Sequence, residues 1–443
     1  MKTPLTRGLK LPRDIEITWL KALVMFGKSQ RDPSMLPWDE LKRLAMRSAS
    51  MSMPNVQRLW ETFTQERRDL VINLLAGREK THAYITGFHL VNQFRTWATL
   101  ERLMERAPAL AKPLKAKHIQ IIDIGCGSGA VGITIAQWLK TAVGPNDILL
   151  EGFDTSGSLL DAARFMSAQL NINFKGHIGL IENANFAIQT EHPIIIGLGY
   201  VWNELGKNRA AQNKIMQLLK TLVSSNQPCM IIALEPSDEL GAKGAMRLRE
   251  KLVEIGLTPL YPCPGKTTCP LLVEKRDWCY SELSWEKPVL QKKIEESIGI
   301  SRSVIGVSSW VFANEPLVRK SYPTENQKVI IGRPTERNGP WGQFNYLLCS
   351  QEGLSKIPGQ KPPLLKGPLY TDQKISANAQ PQVNLKDQSQ GSSIVKKNNA
   401  FLDNDREKKS ESKKIQTGTN TRINPHTKKG SGIVPPGNKA KNS

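Results

Sequence analysis

The stretch Ile119–Leu139, IQIIDIGCGSGAVGITIAQWL, constrains the chain more than any other. It opens as a short apolar run rich in β-branched residues, Ile119 to Ile124, which reads as a strand. Gly125, Gly127 and Gly129 follow at alternate positions. Val131, Ile133, Ile135, Ala136 and Leu139 then recur at helical spacing. Strand, glycine turn and helix form the entry to a nucleotide-type site in an open α/β sheet. Glycine lets the backbone approach a ligand that any Cβ would block. The start of the helix offers free N–H groups beside that ligand.

The spacing separates one cofactor from another. A dinucleotide fingerprint is G-x-G-x-x-G. Here the pattern is D-x-G-x-G-x-G, from Asp123 to Gly129, which resembles motif I of the class I S-adenosylmethionine (SAM) methyltransferases. A tight turn without a ligand is the plainer alternative. The next strand argues against it, because Ile148–Phe153 ends at Asp154. A carboxylate there can accept from both ribose hydroxyls of a nucleoside, although DTSGSLL also permits a helix N-cap. Asp123, Gly125, Gly127, Gly129 and Asp154 are therefore candidate cofactor-binding residues. Asn183, after the third strand, is a candidate for the adenine. Asn203, in GLGYVWNELGK, lies at the carboxyl edge of the sheet, where such folds bind ligands. No residue is identified as the catalyst that would activate a methyl acceptor.

Around this stretch the chain divides into four regions. Residues 1–115 read as a helical N-terminal domain, with helices over Asp14–Met25, Trp38–Met51, about Val56–Leu75 and Tyr84–Arg106. Residues 116–260 alternate strand and helix, which predicts an α/β fold with a mainly parallel sheet. Its strands are expected at Ile119–Ile124, Ile148–Phe153, His177–Glu182, Pro193–Leu198 and Pro228–Leu234. Residues 261–358 read as a small β-rich appendage containing cysteines, with strands at Ser303–Ala313, Lys328–Gly332 and Gln343–Leu348. Residues 359–443 carry sixteen Lys/Arg against six Asp/Glu, with Tyr370 and Phe401 the only aromatics. Such a composition cannot bury a core and predicts a disordered basic tail.

The charge narrows the partners. Formal net charge is +21 over 443 residues, an excess that favours a polyanion such as nucleic acid. No apolar run approaches the roughly 20 residues needed to span a bilayer, so no membrane partner is expected. The N-terminus lacks a signal-peptide pattern. The expected location is cytoplasmic for a bacterial chain and the mitochondrial matrix for a eukaryotic one.

Six cysteines in a chain of this length do not make a secreted disulfide scaffold. Cys126 and Cys229 read as small buried residues. Cys263, Cys269 and Cys279 cluster in YPCPGKTTCPLLVEKRDWCYSEL, and Cys349 follows in NYLLCSQEG. Four thiolates can hold zinc tetrahedrally or an iron–sulfur cluster. Their spacing is not the tight C-x-x-C of zinc ribbons, and both groups stay open on residues alone.

From about Tyr84 to Gly353 the sequence is similar to the methyltransferase-like ribosomal small-subunit assembly family of bacteria and mitochondria. The similarity lies in YITGFHLVNQFRTWATLERL, IIDIGCGSG, VWNEL, LEPSDELGAKGAMRLRE, the C…CP…WC segment and LLCSQEG. The resemblance implies a class I methyltransferase fold that binds SAM. It also implies a [4Fe–4S] cluster on Cys263, Cys269, Cys279 and Cys349. The implied role is maturation of the small ribosomal subunit through contact with its rRNA, with methylation of that rRNA as an enzymatic version. The alternative is a zinc-stabilised RNA-binding module on a non-catalytic methyltransferase fold. The tail after Gly359 lies outside the resemblance.

Overall fold

The computed structural model describes residues 8–369, apart from 29–30, 66–76, 145–146, 190, 207, 273–276, 301, 319–327, 332–336, 339–342 and 360–366. Most of the predicted disordered tail lies outside the described residues; the expectation fails at Gly367–Leu369, which forms a strand paired with Lys328–Ile330. Most of the second half of the helix expected near Val56–Leu75 also lies outside the described residues.

The N-terminal region is helical, as the apolar spacing predicts: α1 (Arg13–Phe26), α2 (Trp38–Gln65), α3 (Arg78–Tyr84) and α4 (Leu90–Arg106). A π-helical turn over Ile85–His89 joins α3 to α4. Two helices expected either side of residue 54 are one helix, which runs straight through Pro54. A proline inside a helix costs about 3 kcal/mol. Packing offsets it, because Val56 and Leu59 beyond it are buried against the rest of the helical layer.

After the short α5 (Ala111–Leu114) the α/β region begins. In chain order it contains β1 (His118–Ile124), α6 (Ala130–Trp138), β2 (Asp147–Asp154), α7 (Gly157–Gln169), β3 (Asn173–Ile178) and β4 (Ile194–Gly199). It continues with α8 (Val201–Leu205), α9 (Arg209–Ser224), β5 (Cys229–Glu235), α10 (Glu239–Glu254) and β6 (Thr258–Tyr261). Then come β7 (Ser281–Ser284), α11 (Val289–Ser297) and β8 (Val304–Ala313). The sheet order is β3-β2-β1-β4-β5-β8-β6, with β7 also paired to β8. Strands β3, β2, β1, β4 and β5 are mutually parallel, and β8 runs antiparallel to β5, β6 and β7. This is the class I methyltransferase sheet that the sequence resemblance implies. The inner strands are buried on both faces, so they read as runs of isoleucine rather than alternations.

Two expectations shift. The third strand is Asn173–Ile178 rather than His177–Glu182. Pairing with β2 sets its register, from Leu149 opposite Asn173 to Asp154 opposite Ile178. The apolar letters Ile178 and Leu180 that drew the reading forward are exposed residues at the strand's end. The strand at Ser303–Ala313, expected in the appendage, is instead β8, wedged between β5 and β6 in the main sheet. What lies apart from the main sheet is a second, five-stranded sheet: β9 (Lys328–Ile330), β10 (Arg337–Asn338), β11 (Gln343–Ser350), β12 (Gly353–Gly359) and β13 (Gly367–Leu369).

The helical layer packs on one face of the main sheet. Trp19 Nε1 donates to Ile85 O at 2.9 Å, Trp138 Nε1 donates to Glu101 Oε1 at 2.9 Å, and Phe94 stacks on Trp285 at 4.5 Å. A second apolar core, built from α9, α10 and β5, takes in Cys269, Cys279 and Cys349.

The antiparallel end of the sheet is tied to the parallel part by Asn314. Its Nδ2 donates to Gln227 O at 2.6 Å and its Oδ1 accepts from Cys229 N at 3.0 Å, both buried. Asn314→Ala should leave both backbone groups unpaired and lower stability by about 2–4 kcal/mol. Urea denaturation measures this, and an unchanged midpoint would contradict the assignment.

Candidate functional site

The glycine turn leaves β1 with all three glycines in the left-handed region, φ +67° at Gly125, +51° at Gly127 and +79° at Gly129. This conformation strains any residue with a Cβ. At Gly125 a Cβ would also stand 2.5 Å from Val201 Cγ2. At Gly127 the nearest atom would be Leu159 Cδ1 at 3.8 Å, so the space beside this backbone is open. Gly129 caps α6.

Asp154 meets this turn. Its Oδ2 accepts from Gly127 N at 2.8 Å, and its Oδ1 accepts from Ser156 N at 2.8 Å. The N-cap of α7 is Ser156, whose hydroxyl accepts from Leu159 N, so the capping alternative for Asp154 falls to its neighbour. Burial pushes the Asp154 carboxyl up, while the backbone donors Ser156, Gly127 and Thr155 pull it down. Phe153, just before it, stacks on His177 at 4.4 Å and meets Phe186 edge-on at 4.9 Å.

The remaining sequence candidates fall elsewhere. Asp123 is 1% exposed and turned into the fold, its Oδ2 accepting from Gly132 N at 2.8 Å. Burial pushes its carboxyl up to about 7. Its part is to hold the start of α6 under the turn. Asn183 is exposed on a 3-10 turn over Ile181–Asn183. Asn203 is committed to protein partners: its Nδ2 donates to Glu235 Oε2 at 2.7 Å and to Gly241 O at 3.1 Å. Its Oδ1 sits where a Cβ on Gly244 would come within 2.0 Å, so α10 approaches α8 through that glycine.

Several residues of the site had little signal in the sequence. His89 Nδ1 lies 2.7 Å from Ser128 Oγ, inside the glycine turn, and burial pushes this histidine down to about 3. Thr81 Oγ1 donates to Ser158 Oγ at 2.8 Å, so the helical layer touches both the glycine turn and the start of α7. Tyr200 has φ +66°, which is unusual for a side chain of its size, and its hydroxyl accepts from Arg95 Nη1 at 3.3 Å. A positive φ leaves no mark in a single sequence unless the residue is Gly or Asn. Glu235 is fully buried at the end of β5, also within an apolar run that reads only as strand.

The four cysteines converge. Cys263, Cys269, Cys279 and Cys349 line one cavity of about 20 Å³ with Trp310, Leu271 and Ile331. They come from the loop after β6, the segment before β7, and β11. Burial pushes the Cys269 thiol up to about 11 and Cys349 up to about 12. Arg249 of α10, 1% exposed, donates to Gly265 O at 2.6 Å and reaches Cys263 Sγ at 3.5 Å. Glu250 Oε1 accepts from Cys269 N at 3.1 Å. From the other side Arg106, at the end of α4, donates to Pro262 O at 2.6 Å and Cys263 O at 2.9 Å. Among the described residues no three His, Cys, Asp or Glu side chains are placed to share one metal ion.

The sequence pattern of the mitochondrial small ribosomal subunit family Rsm22 matches residues 91–299. That span runs from α4 through the glycine turn and three of the four cysteines. No curated protein matches the chain significantly. Among solved structures, the chain is similar to magnesium protoporphyrin IX methyltransferase from Synechocystis with bound SAM. That match has 12% identity, covers 59% of this chain and 97% of that one, and has a TM-score of 0.29. The human methyltransferase 10 domain containing protein matches at 11% identity, 49% and 81% coverage and a TM-score of 0.27. A SAM-dependent methyltransferase from Aquifex aeolicus matches at 13% identity, 38% and 88% coverage and a TM-score of 0.24. Among the described residues no helix is long and apolar enough to cross a membrane.

Glu235 gives the site a pH signature. Burial pushes its carboxyl up to about 8 from 4.5, against the opposing pull of Asn203's donors. Between about pH 4.5 and 8 the folded protein keeps a proton that the unfolded chain releases, so stability falls as pH rises through that window. Glu235→Gln, neutral throughout, should remove this part of the decline. Urea midpoints at pH 5 and pH 8 test it; equal pH slopes in variant and parent would rule it out.

Proposed function

We propose that this protein is a SAM-binding, iron–sulfur-containing assembly factor of the small ribosomal subunit that contacts rRNA. The observation that carries the reading is the joint presence of an open glycine turn closed by Asp154 and a cavity walled by four thiols. The Rsm22-family match supports the ribosomal part, and the charge of +21 supports contact with RNA.

For SAM, the backbone at Gly127 offers close approach and Asp154 is the acceptor for ribose hydroxyls. Asn183 stands in the loop on the adenine side. Asp123 and Asn203 act on the cofactor through the turn and α8. SAM supplies an electrophilic methyl group. In this chain the groups at the carboxyl edge, Asn203 and Glu235, are bonded to each other. That arrangement supports a binding role more than methyl transfer.

For the metal group, four soft sulfur donors with a buried guanidinium beside them suit a cluster that carries negative charge. A four-iron cluster takes one thiolate per iron, so its ligands stand farther apart than those around a single ion. The convergence of four thiols on one cavity supports a thiolate-bound group, and iron content decides between the cluster and zinc. Thiols must lose their protons to bind metal, so affinity should rise with pH.

Full-length protein purified without oxygen should contain about four irons and four sulfides per chain. Cys349→Ser should lose most of them. Calorimetry should show SAM binding that Asp154→Ala abolishes while iron content is unchanged. Iron-free, zinc-loaded protein would overturn the cluster, and absence of SAM binding by the parent would overturn the cofactor. An unmodified rRNA methylation profile in a deletion strain would leave the assembly role and remove the enzymatic one.

A further inference from the structure

The helical layer carries a group of side chains that neither the cofactor turn nor the cysteine cavity uses. Arg95, on α4, donates from Nη1 to Asn92 Oδ1 at 3.0 Å and to the Tyr200 hydroxyl at 3.3 Å. Its guanidinium lies 5.7 Å over the Tyr200 ring. It makes no ion pair with any described carboxylate, and its Nε is buried without a hydrogen-bond partner.

Arg302, before β8, is half-buried and lies 5.1 Å over the Trp60 ring. Its only described carboxylate is Glu295, at 3.7 Å, and that residue is already held by Lys287 at 2.5 Å. Its Nε is likewise buried and unpartnered. Burial pushes the Arg302 guanidinium down, Glu295 pulls it up, and the charge of Arg95 adds to the lowering.

Aromatic rings continue from the arginines. Trp60 stacks on Phe88 at 6.2 Å and Phe88 on Tyr84 at 5.6 Å. Asn92 joins this strip to Arg95: its Nδ2 donates to the Tyr84 hydroxyl at 3.4 Å while its Oδ1 accepts from Arg95.

Two neighbouring guanidinium groups with unused donors and too little carboxylate call for a bound anion, and a guanidinium fork suits phosphate. Half-buried aromatic rings next to them suit a base, because every base has a face to stack. We infer that this strip seats one nucleotide of single-stranded RNA. Its phosphate lies between Arg95 and Arg302 and its base against the Tyr84 and Tyr200 rings. The inference rests on the rRNA-contact reading above and names where on the chain that contact is made. The seat is on folded surface, so RNA binding does not depend on the basic tail alone.

The test uses the full chain and a single-stranded RNA of about ten nucleotides containing 4-thiouridine. Photocrosslinking with mass spectrometry should map adducts to Tyr84, Phe88 or Tyr200. Arg95→Gln should weaken binding several-fold and lower the slope of log affinity against log salt by about 1, and Arg95→Lys should restore much of both. Tyr84→Leu, read by crosslinking yield, keeps the test open if Arg95→Gln does not fold. Adducts confined to residues beyond 359 would overturn the inference. So would unchanged binding in Arg95→Gln, no RNA binding, or preference for a phosphoserine peptide over RNA. SAM calorimetry on the same samples separates the two readings. Adducts at the strip without SAM binding support this inference and sink the cofactor; SAM binding with adducts elsewhere does the reverse.

Discussion

The hydrogen bond from Gly127 N to the Asp154 carboxylate holds the site together. It joins the turn after β1 to the end of β2, two points separated by a helix in sequence. It is possible only because three glycines put the turn in the left-handed region, which brings that N–H round to face the neighbouring strand. Burial taxes the carboxylate, and backbone donors on both oxygens offset part of the cost. Asp123 works from beneath on the same turn by gripping α6. One acid therefore stands at the open glycine turn and the other faces the core, although both stood together as candidates in the sequence.

The helical layer is part of the same construction. Helix α4 follows directly on His89, which meets Ser128 in the glycine turn, and ends with Arg106, which meets the carbonyls of Pro262 and Cys263. Helix α10 begins beside Asn203 and reaches the cysteine loop through Arg249 and Glu250. The two helices belong to different apolar cores, and each spans the distance between the two candidate sites. Buried polar contacts at both ends make these helices register-specific, since an arginine shifted by one turn would lose its carbonyls.

Much of the fold was legible in the residues because period and glycine spacing are local properties. The strand-turn-helix of β1 and α6, the end of β2 at Asp154, and the amphipathic α4 all read directly. The failures were nonlocal. Nothing in SVIGVSSWVFA says that it returns to pair with β5, because an antiparallel strand inserted late carries the same letters as an appendage strand. Register misplaced β3, since pairing with β2 rather than apolar content decides where an edge strand lies. At the site, the glycines and the cysteines announce themselves by residue type. Tyr200, Arg95 and Glu235 do not, because their roles come from a strained φ, a missing carboxylate and burial, which are properties of three-dimensional placement.

The grip of Arg106 and Arg249 on the cysteine loop bears on how such a loop can be moved between proteins. Among its described residues the loop from Pro262 to Cys279 has one 3-10 turn, at Pro270–Leu272. Its carbonyls are anchored by arginines that lie in other parts of the chain. Transplanted alone onto another sheet, it would arrive with its thiols but without the two guanidinium clamps that set their spacing. The portable unit is the loop together with α4, α10 and β11, which amounts to most of the domain. The cysteine site is for that reason bound to this sheet and is not a detachable module.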